Sequence, residues 1–113
     1  MKTQVIGTTP VAILNRNKKR VRWFIQMLPT SVAAGNTGKI FIGRGFVPTA
    51  TVGDPNQGEI LVAGASIEEV KQFEGDTRPY KGTIWAVSDT GGQQCVVEEE
   101  ISEYEETKET KTE

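Results

Sequence analysis

"YKGTIWAVSDTGGQQCVVEEE" (80–100) is the stretch whose reading decides the fold. It divides into an apolar run "GTIWAVS" (82–88), a turn "SDTGG" (88–92) and a second run "QQCVVEEEIS" (93–102). Ile84, Ala86 and Ser88 alternate with Thr83, Trp85 and Val87, and Cys95, Val97 and Glu99 alternate with Gln94, Val96 and Glu98, which is strand periodicity. Glycines able to take positive φ and an aspartate able to bond back to the backbone suit the link between them. The stretch is therefore expected to be a β-hairpin that closes the domain, with Trp85 and Cys95 in the core. The competing reading, a site built from Trp85, Ser88, Asp89 and Cys95, lacks a base, since the chain holds no histidine to activate a serine or a thiol.

Outward from this stretch the chain stays β. Glycine or proline recurs every 8 to 15 residues with no amphipathic helix between, as in a sandwich or barrel. Strands are expected at "TQVIG" (3–7), "VAIL" (11–14), "RVRWFIQML" (20–28), "KIFIGRGF" (39–46) and "EILVAG" (59–64). "SIEEVKQF" (66–73) fits either a helical turn, through Ile67, Val70 and Phe73, or an edge strand, and its β surroundings favour the strand. The fold class expected is all-β: a small antiparallel β-sandwich, jelly-roll-like, over 1–100, followed by an acidic C-terminal tail over 101–113. That tail is too polar to bury itself and is expected to order only against a partner.

The totals exclude several chemistries. With 113 residues there is room for one domain and one core. Absence of histidine removes imidazole catalysis and most transition-metal sites, and one cysteine allows neither a disulfide nor a thiolate cluster. No cofactor is expected. The first twenty residues have no long apolar run, so neither leader nor membrane anchor is expected there. "AAGNTGKI" (33–40) lacks the first glycine and the Ser/Thr of a phosphate loop, and "GRGF" (43–46) lacks the third glycine of a dinucleotide site. Glu68/Glu69 and Glu98–Glu100 are neighbours along strands and point to opposite faces, so they read as solvated edge charges rather than converging carboxylates. Trp23 and Trp85 read as core anchors, with sugar stacking by one of them as the alternative.

Charge is distributed unevenly. Residues 98–113 carry eight Glu against two Lys, whereas 1–97 carry eleven Lys and Arg against seven Asp and Glu. Five cations crowd into "RNKKRVR": Arg16, Lys18, Lys19, Arg20 and Arg22. No aromatic is interleaved with them and the pI is about 5.3, so nucleic acid is not the expected partner. The cluster reads as a charged turn, or as a contact for an acidic protein surface such as a neighbouring copy's tail.

Taken in order, "NKKRVRWFIQ" (17–26), "IFIGRG" (40–45), "PTATVG" (48–53), "AGAS" (63–66), "YKGTIWAVSDTGG" (80–92) and "CVVEEE" (95–100) resemble small β-sandwich structural proteins of tailed bacteriophages. The resemblance covers about residues 11–100. It implies a non-enzymatic capsid decoration (cement) protein, made in the host cytoplasm and carried on the capsid surface of the virion. It further implies a major capsid protein as partner, self-association with a trimer favoured, and no membrane contact. A receptor- or glycan-binding module of the tail is the alternative. The glutamate-rich tail and the heavy basic run depart from the shared pattern. The contacts expected are Arg16, Lys18, Lys19, Arg20, Arg22, loop residues Val47 and Val52, and Glu98, Glu99, Glu100, Ile101 and Tyr104.

Overall fold

The computed structural model describes residues 2–102. They form eight strands: β1 (Lys2–Ile6), β2 (Val11–Leu14), β3 (Arg20–Met27), β4 (Ile40–Arg44), β5 (Glu59–Leu61), β6 (Ser66–Val70), β7 (Ile84–Ser88) and β8 (Gln93–Ile101). Two four-stranded antiparallel sheets result, β1-β8-β3-β6 and β2-β7-β4-β5. The pairs β1–β8, β2–β7, β3–β6 and β4–β5 nest inside one another. This is the pattern of one long hairpin, with its tip at β4–β5, rolled so that successive pairs fall in alternate sheets. Rolling adds the pairings β3–β8 and β4–β7. The outcome is an antiparallel β-sandwich with jelly-roll strand order, and segment 66–70 is its edge strand rather than a helical turn.

The expected closing hairpin is not formed. β7 pairs with β2 and β4, β8 pairs with β1 and β3, and residues 89–92 carry the chain from one sheet to the other. Turn chemistry is identical for a hairpin and for a sheet-to-sheet crossing, so the local sequence does not separate them. Side chains at the crossing decide it. The Ser88 hydroxyl donates to the Lys39 carbonyl and accepts from Thr90 N–H, while Ser88 N–H donates to Gly7. Gln93, fully buried, donates to the Gly35 and Gly91 carbonyls and accepts from Gly38 N–H.

Trp23, Ile25 and Met27 of β3, Cys95 and Val97 of β8 and Ile6 of β1 face Ile13, Ile40, Ile42, Leu61, Ile84 and Ala86 of the other sheet. Alternation along β3 places those three residues inward as expected, but a bulge breaks it at the start. Arg20 lies opposite Ile101 and Arg22 opposite Glu100, so two steps on β3 match one on β8. Such a bulge re-aims side chains, and here Arg20, not Val21, is the buried residue. β4 is buried on both faces along Ile40–Gly43. A Cβ on Gly43 would overlap the Phe46 carbonyl oxygen, so the loop after β4 can lie on the outer face only because glycine stands there.

Candidate functional site

Because the eight strands alternate in direction, their connections divide between two ends. Loops 7–10, 28–39, 62–65 and 89–92 share one end. It is closed by Gln93 and by buried Asn36, whose amide donates to the Leu28 and Gln94 carbonyls and whose oxygen accepts from Gln94 N–H. Loops 15–19, 45–58 and 71–83 meet at the other end, with the start of β1 and the finish of β8. Asn17 N–H donates to Lys81, Gly45 N–H to Thr83 and Ser102 N–H to Lys19, at 2.8, 2.9 and 2.7 Å. Most of the residues expected from the sequence to make contacts gather at this loop end.

They do not form one patch. Arg16, Lys18 and Lys19 are exposed on the 15–19 loop, as are Val47, Val52 and Ile101. Arg20 is 0% exposed and is no surface contact. Its Nε donates to Glu99 at 2.7 Å, its Nη1 to the Tyr80 and Gly82 carbonyls at 2.6 and 3.0 Å, and its Nη2 to the Asn15 carbonyl at 2.6 Å. Arg22 stands on the outer face of its sheet, bonded to Glu68 at 2.6 Å and Glu98 at 2.7 Å, with Glu100 at 3.5 Å, and lies over the Phe24 ring. Both arginines are thus committed to holding the fold. The expected solvated edge charges are corrected in part: β8 is an interior strand with Glu98 and Glu99 held by Arg22 and Arg20, whereas Glu100 and the edge-strand Glu68 are exposed. Tyr104 lies outside the described residues.

Glu69 anchors a second node, facing inward where its neighbour Glu68 faces out. It accepts from Trp23 Nε1 at 2.7 Å, Arg44 Nε at 2.7 Å and Tyr80 N–H at 2.9 Å. Arg44 also reaches Glu59 at 2.9 Å and lies over the Trp23 ring. Burial acts to raise the Glu69 carboxyl, but the Tyr80 and Trp23 donors with the Arg44 guanidinium outweigh it and hold it below its ordinary value. The Arg22 hydrogen bond does the same for Glu98, and Arg78 does so for Asp76. Burial pushes the Cys95 thiol up to about 12, so it is inert and un-ionised.

These shifts set the pH profile. Carboxylates depressed in the folded state stabilise it above their ordinary value of 4.5, and that stability is lost as pH falls through the folded values. The raised thiol acts in the opposite sense, and its contribution is lost as pH rises from 9.0 towards 12. With no histidine, urea midpoints are expected to stay level between about pH 5.5 and 8 and to fall on either side. A midpoint that moves within that plateau would contradict the assignment.

A groove of about 680 Å³ opens at the loop end. It is lined by Trp85, Tyr80 and Thr83, by the cations Arg16, Lys18 and Lys81, and by Gly45 and Gly82. Trp85 is therefore not core, as the sequence suggested. It is half-buried on the outer face of its sheet, alongside Val87 and opposite inward Ile84 and Ala86. The alternation itself carried that signal, since Trp85 shares its parity with Thr83; polar Ser88 on the other parity obscured it. Tyr80 and Lys81 carried no sequence signal, because a loop brings them in. Among the described residues no group of three or more His, Cys, Asp or Glu is placed to hold a metal.

No family model matches the chain, and no curated protein or solved structure does either. The resemblance to phage structural proteins rests on the short motifs alone.

Proposed function

We propose that the chain is a non-enzymatic virion protein, a capsid decoration protein that braces the head of a tailed phage by attaching through its loop end. The observation that carries this reading is the division of labour at that end. Arg20, Arg22 and Arg44 are each tied to glutamates within the sandwich, while Arg16, Lys18, Lys19, Val47 and Val52 remain exposed on adjoining loops. A brace requires such a surface and no reacting groups. Individual exposed ion pairs contribute only about 0–1 kcal/mol, so apolar residues of the 45–58 loop supply most of the attachment free energy and repetition over a lattice multiplies it. Homotrimers over a major capsid protein fit the motif resemblance and the jelly-roll architecture, which viral coat domains share with lectins.

The groove at Trp85 favours a second reading, a glycan-recognition module of the tail. Heating particles with and without the protein separates the two. A brace is expected to raise the temperature at which heads release their genome. Particles equally heat-resistant without it, yet unable to adsorb to cells, would replace the first reading by the second.

A further inference from the structure

We propose that the groove floored by Trp85 is a binding site for an acidic saccharide. This goes beyond the bracing role and stands independently of it.

The indole is left uncovered by its own sheet. Its cross-strand neighbours are Ala12 on one side and Gly43 on the other, so neither paired strand lays a tall side chain over it. Trp23, by contrast, is fully buried. Leaving part of a tryptophan in water forgoes apolar burial in a domain this small, and a flat hydrophobic shelf is what the C–H face of a sugar ring stacks against.

The cations beside the shelf hold no carboxylate, and Lys81 Nζ donates only to the nearby Pro79 carbonyl, at 3.4 Å. Arg20, Arg22, Arg44 and Arg78 all hold carboxylates, whereas Arg16, Lys18 and Lys81 form no ion pair among the described residues. No described carboxylate lines the groove. An arginine fork and two ammonium groups around an aromatic shelf suit a ring bearing a carboxylate or sulfate.

The second aromatic is fixed in place. A Cβ on either Gly45 or Gly82 would overlap the Tyr80 hydroxyl, and Gly45 has φ +82°, so two glycines form the slot that the phenol occupies. Behind it, the Tyr80 carbonyl is held by Arg20 and its N–H by Glu69. Tyr80 is therefore positioned before any ligand arrives, which lowers the cost of binding. The cations form one cluster rather than a stripe, and the chain's net charge is −2. A saccharide with a charge per ring fits that better than a nucleic-acid backbone.

Acrylamide quenching of the full chain tests this, because Trp23 is shielded and the quenchable emission comes from Trp85. A galacturonic acid trimer is expected to protect the emission saturably, with the neutral galactose trimer about ten-fold weaker or worse. Lys81→Gln and Arg16→Gln are each expected to weaken the acidic trimer several-fold and to flatten its salt dependence. Trp85→Leu is expected to abolish binding in calorimetry while the thermal midpoint stays close to that of the parent. Equal binding of the neutral trimer, or none by either, overturns the proposal. Tighter binding of a synthetic 103–113 peptide would reassign the groove to acidic peptide, and tighter binding of a short DNA strand would reassign it to nucleic acid.

Discussion

Replacing Arg20 by methionine is expected to lower the stability of the folded chain by about 3 kcal/mol, the low end of the range for breaking a buried ion pair, since the guanidinium is buried but Glu99 is partly exposed. The substitution keeps most of the volume and removes every donor. Left behind are the Glu99 carboxylate and the carbonyls of Tyr80, Gly82 and Asn15, all of which had faced one guanidinium. Those groups belong to β8, the 71–83 loop and the turn after β2, so the loss is expected to loosen the whole loop end. Lysine at this position restores a charge but cannot fork to four acceptors, and Arg20→Lys is expected to recover only a minor part. Arg22 supplies the control. Its ion pairs lie on the outer face, and Arg22→Met is expected to cost about 1 kcal/mol or less. Urea unfolding of the three variants reads the difference. Equal costs at 20 and 22 would mean that Arg20 is not the internal tie described.

The two tryptophans give the second large contrast. Trp23→Ala is expected to cost about 3–5 kcal/mol, because it removes a fully buried indole from the centre of the sandwich. It also takes the Nε1 donor from Glu69 and the ring from beneath Arg44. Trp85→Ala, on the outer face and only partly buried, is expected to cost about 2 kcal/mol. Denaturant midpoints with unchanged slopes would bear this out. A comparable loss at Trp85 would return that residue to the core and remove the floor of the groove.

Much of the fold was legible because alternation and glycine punctuation are local. Trp23, Ile25 and Met27 could be placed on one face from spacing alone, and segment 66–70 could be placed at an edge. Four things were not legible, each because it depends on partners distant in sequence. Residues 89–92 carry the same turn chemistry whether the flanking strands pair or part, so the hairpin reading of 80–100 failed. The bulge opposite Ile101 turned Arg20 inward, and no residue type at positions 20–22 announces it. The five cations of "RNKKRVR" look alike in sequence, yet glutamates from β6 and β8 claim Arg22 and Arg20 and leave Arg16, Lys18 and Lys19 outside. The groove was hidden for the same reason, since it needs the 71–83 loop to bring Tyr80 and Lys81 beside Trp85.

Attachment of the sandwich to a capsid through its loop end is tested most directly by electron cryomicroscopy of the purified parent particle. The expected map shows two-sheet density on the outside of the head, grouped in threes, with loops 15–19, 45–58 and 71–83 turned towards the shell. Heads bare of this density, with the chain found at the tail, would contradict the account, as would sandwiches attached by the opposite end.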